Sequence, residues 1–253
     1  MPQTLLMVPG YNEPPIHFDV LANGRGGIPG LRARGYTCSM FPQEDDDLRD
    51  RIDRFAEHLA QMRRTGTTFP IVAIGYSLGG LVVRGFLRAF PERAHEISHT
   101  ILIATPNWGV TVLAMPPITR MLRIPDQAMG DMDLDSDFMR WMNGTGGHWT
   151  RDDKGARVWQ LNGEPIVGPA DAKILVIQGL IPARGDDNDG LVWADSATLG
   201  NRINAHYIVG PHCNHMNIIG HFDFFIMVGK GFLSNDKVWP LTLAAIVKFV
   251  ESA

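Results

Sequence analysis

Six short apolar runs, bounded by Gly or Pro and separated by longer mixed segments, set the strongest limit on what this chain can fold into. They are Leu5 to Val8, Thr37 to Phe41, Ile71 to Ile74, Thr100 to Ala104, Ile174 to Ile177 and His206 to Val209. Runs this short, mostly β-branched or aliphatic, read as strands buried on both faces, which is what a parallel sheet requires. The segments between them are long enough for helices, so the expected class is α/β, with a mostly parallel central sheet flanked by helices. Leu48, Ile52, Phe55, Leu59 and Met62 recur at spacings of three and four with polar residues between them, which predicts a surface helix. Asp45, Asp46 and Asp47 suit the positive end of that helix, and Arg63 and Arg64 before Gly66 suit its other end. The acidic run therefore reads as capping and solvation, not as a metal site. A last helix is expected near Leu241 to Val250.

The rhythm breaks between Pro106 and about Pro165, a stretch rich in Gly, Pro and Asp. Six of the 12 methionines fall there: Met115, Met121, Met129, Met132, Met139 and Met142. Flexible, polarisable Met side chains suit an adaptable apolar surface, and they also serve as ordinary core filler. The segment from about 107 to 165 is accordingly expected to be a cap inserted into a single domain spanning 1–253, a size one α/β domain can fill. A small packed helical subdomain is the other reading of the same residues.

With 23 basic and 27 acidic residues the net charge is −4, and no Lys/Arg cluster forms the stripe that a phosphate backbone requires, so no nucleic-acid partner is expected. Cys38 and Cys213 are expected as two buried free thiols, although one disulfide could form between them. The chain runs from Met1 straight into an apolar strand with no signal-type segment, so a cytoplasmic location is expected, with a secreted form whose signal has been removed as the other reading. Ile218 to Val228 is interrupted by His221 and Asp223 and is too short to span a bilayer, so no stable membrane insertion is expected.

Chemistry concentrates in Gly75-Tyr76-Ser77-Leu78-Gly79. This G-x-S-x-G sequence follows an apolar strand and precedes a helical stretch, Leu81 to Phe90, the setting in which a sharp turn presents a serine hydroxyl above a sheet. Gly75 and Gly79 are needed there because side chains would collide with the neighbouring strand and helix. The following helix N-terminus favours negative charge developing beside Ser77. An attacked carbonyl becomes an oxyanion that backbone N–H groups must meet. The Leu78 amide is one expected donor; the second belongs to the loop after the first strand, Val8-Pro9-Gly10-Tyr11-Asn12, and is assigned to Tyr11.

A serine hydroxyl also needs a base, and the base needs a carboxylate to hold its tautomer. In strand-turn-helix hydrolases the order is Ser, acid, His. Asp189 follows the fifth apolar run, with Asp186, Asp187 and Asp195 as rivals. Pro211-His212-Cys213-Asn214-His215 follows the sixth run and offers His212 or His215 as the base. The remaining histidines read as surface or core residues. No cofactor is expected.

These residues resemble the bacterial lipase and esterase branch of the α/β-hydrolases. Gly75 to Phe90 is similar to that branch's elbow and following helix, and Ala104-Thr105-Pro106-Asn107-Trp108-Gly109 is similar to its Thr-Pro-His-x-Gly segment. Asn188-Asp189-Gly190-Leu191-Val192 resembles the acid loop, and Asn214-His215 resembles the base loop, which favours His215 over His212. The resemblance implies a carboxylesterase or lipase acting on a small-molecule or lipid ester, with Ser77, Asp189 and His215 as the triad. Thioesterases, amidases and acyltransferases use the same machinery, and a binding protein can keep the fold without the chemistry. Pro9 stands where His is common before Gly, Asn107 stands where His is common, and Asn217 replaces the Asp with which some of these lipases hold calcium, so no metal is expected.

Overall fold

The computed structural model describes residues 3–10, 18–42, 47–110, 130–144, 147–151, 157–161, 173–179, 181–183, 186–188, 192, 199, 205–209, 213, 217–219 and 235–252. All six apolar runs become strands of one sheet: β1 (Thr4–Val8), β2 (Thr37–Met40), β3 (Ile71–Tyr76), β4 (Ile97–Ile103), β5 (Lys173–Gly179) and β6 (Ala205–Val209). Their spatial order is β6-β5-β4-β3-β1-β2, and every pairing is parallel. Among the described residues the full α-helices are α1 (Asp19–Asn23), α2 (Leu48–Arg64), α3 (Leu78–Ala89), α4 (Asp137–Asn143) and α5 (Asn235–Glu251).

Alternation along the strands divides the core in two. Leu6, Val8, Ile71 and Ala73 face α2 and α3, while Leu5, Met7, Val72, Ile74, Ile101 and Ile103 face the layer containing α1 and α5. On α2 the predicted stripe is the buried face, with Phe55 and Leu59 fully covered; cutting Leu59 to Ala would cost roughly 2–5 kcal/mol. Asp47 caps that helix, its Oδ1 accepting the Asp50 amide at 2.9 Å. Asp45 and Asp46 lie outside the described residues.

Three boundaries differ from the sequence expectation by three residues or more. β4 starts at Ile97, ahead of Thr100. Its polar opening is accommodated because Ser98 Oγ donates to the Ile71 carbonyl at 3.0 Å and His99 stacks edge-on against Phe249. α3 starts at Leu78, directly after the serine, because the two glycines that weaken helix propensity there are required by packing. α5 starts at Asn235 and carries Pro240 inside it, where a proline ordinarily marks a boundary.

Chain order places the site. From β1 the chain moves to β2 on one side, then crosses to β3 on the other side of β1 and continues outward through β4, β5 and β6. The connections leaving β1 and β3 thus diverge, opening a crevice beyond their carboxyl ends, the usual ligand position in an open α/β sheet.

In the stretch after β4, Met132, Phe138, Met139 and Met142 are buried in the same cluster as α2 and α3. The described methionines of this segment therefore act as core filler; Met115, Met121 and Met129 lie outside the described residues. Two antiparallel pairs follow, Gly147–Arg151 with Arg157–Leu161 and Ile181–Ala183 with Asp186–Asn188. Neither Cys38 nor Cys213 is part of a disulfide among the described residues; Cys213 is fully buried, as expected, whereas Cys38 is only half-buried. Among the described residues no helix is long and apolar enough to cross a membrane.

Candidate active site

Ser77 occupies the bend between β3 and α3 at φ 53° and ψ −128°. Side-chain-bearing residues rarely adopt such a conformation, which costs of order 1–3 kcal/mol. From Ile71 to Leu87 every residue is buried except Ser77, which is partly exposed. The bend thus lifts one hydroxyl-bearing residue out of an otherwise closed core.

Three pieces of backbone converge to hold it. The Ser77 amide donates to the Ile103 carbonyl at the end of β4 (2.8 Å), and the Gly80 amide donates to the Ser77 carbonyl (3.0 Å). A Cβ on Gly75 would lie 2.5 Å from Gly80 Cα, which allows β3 and α3 to meet so closely. One on Gly79 would strike the Val8 and Pro9 carbonyls, and one on Gly80 would strike the Thr105 side chain. Glycines here let the end of β1, the start of α3 and the segment after β4 pack against one another, as the sequence predicts for Gly75 and Gly79.

Leu78 is the first residue of α3. Its N–H belongs to the set at a helix start that has no carbonyl partner within the helix, and it sits where the helix dipole favours an anion. Val8, Pro9 and Gly10 are buried, and the Val8 and Pro9 carbonyls lie against Gly79 of the elbow. Arg51 of α2 is 1% exposed and brings Nη2 to 3.4 Å from the Pro9 carbonyl. Tyr11, the expected second donor, lies outside the described residues.

The acid and base positions are bracketed without being described. Asp189 follows directly on the strand Asp186–Asn188, and Val192 is buried in a cluster with Leu102, Ile174 and Val176. His215 falls between Cys213, which is fully buried, and the helical turn Asn217–Ile219, whose Ile218 and Ile219 are also fully buried. Cys213, Ile218 and Ile219 belong to the same core cluster as Trp239 and Leu243 of α5. Asp189, His215, His212 and Asp195 themselves lie outside the described residues.

Two buried guanidinium groups went unread in the sequence. Arg51 stands on the apolar stripe of α2, between Leu48 and Ile52, and that placement was its available signal. Arg84, two helical turns after Ser77, is 1% exposed. Its Nη1 donates to the Asn107 carbonyl (2.7 Å) and lies 3.3 Å from Asn107 Oδ1, while its Nη2 donates to Asn143 Oδ1 (2.7 Å). Asn143 Nδ2 in turn donates to the Asn107 carbonyl at 3.0 Å. Burial, with a smaller contribution from Arg88, pushes the Arg84 guanidinium down to about 9, so it stays charged at neutral pH. The Asn at 107, a departure from the lipase pattern, is thus an acceptor for this arginine.

No family model and no curated protein matches the sequence. Solved structures do match. The mature form of the lipase BlEst2 from Bacillus licheniformis is similar at TM-score 0.60 and 18% identity, over 86% of this chain and 86% of that one. A metagenomic carboxyl esterase is similar at TM-score 0.65 and 16% identity, over 99% of this chain and 76% of the other. Lipase B of Aspergillus fumigatus is similar at TM-score 0.56 and 13% identity, over 98% of this chain and 62% of the other. At these identities the likeness speaks to the fold.

Proposed function

The chain has the α/β-hydrolase fold, and we propose that it is a serine ester hydrolase with Ser77 as its nucleophile. The observation that carries this reading is the strained, partly exposed Ser77 at the carboxyl edge of a buried strand, backed by a helix start and placed at the crevice where chain order reverses. Strain alone would also suit a structural bend, whereas a nucleophile needs the exposure and the nearby positive backbone as well.

In the proposed reaction His215 takes the proton of Ser77 Oγ as that oxygen attacks the ester carbonyl, and Asp189 holds the imidazole tautomer. The Leu78 and Tyr11 amides receive the oxyanion. Collapse of the tetrahedral intermediate expels the alcohol, which leaves on the proton returned by His215. Water, deprotonated by the same histidine, then attacks the acyl-enzyme and releases the acid. We assign hydrophobic acyl esters as substrates, with residues 107–165 as an insertion that caps the domain and whose Phe138, Met139 and Met142 anchor it on α2 and α3. The lipase and esterase names of the structural neighbours, which describe those proteins, agree with this chemistry.

The test is labelling by a fluorophosphonate together with a chain-length series of p-nitrophenyl esters. Stoichiometric labelling at Ser77 and ester turnover are expected. A folded protein that neither labels nor turns over any ester would refute the reading.

A further inference from the structure

The Arg84 network joins three elements that the proposed reaction does not by itself require to be joined. Arg84 stands on α3, which Ser77 directly precedes. Asn107 belongs to the segment leaving β4, four residues beyond Ile103, the residue whose carbonyl accepts the Ser77 amide. Asn143 ends α4, in the segment inserted after that strand. All three side chains are buried, at 1%, 0% and 6% exposure. Thr105 fills the space beside Gly80, so the same segment touches the elbow at one point and is gripped by Arg84 at another. Elbow, strand end and inserted helix are thus fastened through one guanidinium.

We propose that Arg84 is a positioning residue for Ser77, and that the inserted helix α4 is coupled to the nucleophile through it; this rests on the ester-hydrolase reading. The strained backbone at Ser77 persists only where its surroundings over-determine it. Two fastenings do so here: the Ile103 carbonyl fixes the serine against the end of β4, and Arg84 fixes the helix behind the serine to the segment that continues from β4. Asn143 supplies the acceptor for Nη2 and a donor to the same Asn107 carbonyl, so docking of α4 sets the orientation of the fork. Loosening the fork lets α3 shift relative to β4, and the hydroxyl then departs from its line of attack. Charge alone does not suffice, because the planar fork is what reaches Asn107 and Asn143 together.

Asn143→Ala tests this without touching α3 or the elbow. The rate constant for fluorophosphonate labelling, taken per labelled site so that unfolded protein is not counted, should fall about tenfold, since small misplacements of reacting groups are expensive in rate. kcat on p-nitrophenyl acetate should fall with it, while KM stays within about twofold, because ground-state binding does not need the aligned hydroxyl. Asn143→Asp keeps an oxygen acceptor for Nη2 but loses the donor to the Asn107 carbonyl, so it should recover part of the rate. Arg84→Lys, which keeps the charge and loses the fork, should be slower than Asn143→Ala. If Asn143→Ala proves too unstable to isolate, Asn143→Ser is measured in the same way and carries the same expectation.

Labelling of the Asn143 variant at the unmodified rate per site would overturn the coupling, whatever happens to its melting temperature. An Asp variant no faster than the Ala variant would also overturn it. Failure of the unmodified protein to label at Ser77 would instead remove the ester-hydrolase reading, and this proposal with it.

Discussion

Two adjacent strands end on a non-glycine residue at positive φ. Ser77 follows β3 at 53°, and Ala104 follows β4 at 50°. The two bends lie side by side, joined by the hydrogen bond from the Ser77 amide to Ile103. They differ in what the bend delivers. Ser77 is partly exposed and begins a helix, whereas Ala104 is fully buried and its amide donates to the Ile177 carbonyl of β5 at 2.8 Å. Strained backbone is therefore not by itself the mark of a nucleophile. Strain joined to exposure and to a helix start separates the first bend from the second.

The largest effect expected from this contrast is at Ser77. Ser77→Ala should reduce p-nitrophenyl ester turnover by about 10⁴-fold or more, because the machinery around a missing nucleophile retains little rate. Its circular dichroism and urea midpoint should stay near those of the unmodified chain. Retained turnover would show that the first bend is as purely structural as the second. Next in size is Gly79→Ala, whose new methyl would meet the Val8 and Pro9 carbonyls. Backbone cannot step aside cheaply, so a loss of about 3 kcal/mol in urea unfolding is expected. A neutral outcome would mean that the end of β1 is not pressed against the elbow.

Glycine at each bend gives a smaller and sharper comparison. Positive φ costs an L-residue roughly 1–2 kcal/mol, and glycine's extra unfolded freedom returns roughly 0.5–1 kcal/mol of that. Ser77→Gly and Ala104→Gly should therefore both gain about 0–1.5 kcal/mol, seen as a rise in Tm of up to about 6 °C. Only Ser77→Gly should lose ester turnover. Equal gains with unequal activity would show that the first bend trades stability for function, and that the second pays only for a turn of the chain.

Much of this was legible because the determining interactions are local. All six strands follow from apolar runs, α2 follows from the spacing of Leu48, Ile52, Phe55, Leu59 and Met62, and the elbow follows from Gly75, Ser77 and Gly79, whose spacing is itself the packing constraint. What escaped depends on tertiary partners. Arg84 looks solvated in sequence, and its burial is explained only by Asn107 and Asn143, which lie 23 and 59 residues away. Ala104 carries no sign of left-handed backbone, because the need for its bend comes from β5. Met132, Met139 and Met142 do not declare which surface they will meet, since an unbranched thioether fits either a cap or a core.

The smallest expected effect lies at the opposite end of β4 from Ala104. Burial, with Lys173 adding to it, holds the His99 imidazole below its ordinary value of 6.5. As pH falls through about 6.5 the unfolded chain takes up a proton that folded His99 resists, so this contribution to stability is full above that pH and is lost as pH falls toward the lowered value. His99→Gln should flatten the dependence of the urea midpoint on pH between about 7.5 and 5, leaving the part that His58, also lowered by burial, contributes. The acid limb of kcat/KM should not move, because in the proposed mechanism it reports His215 and not a residue at the start of β4. If activity and stability shifted together in this variant, the end of β4 that anchors Ser77 would be responding to its far end. Ser77 and Ala104 would then have to be treated as one strained unit, and the glycine substitutions could no longer be read separately.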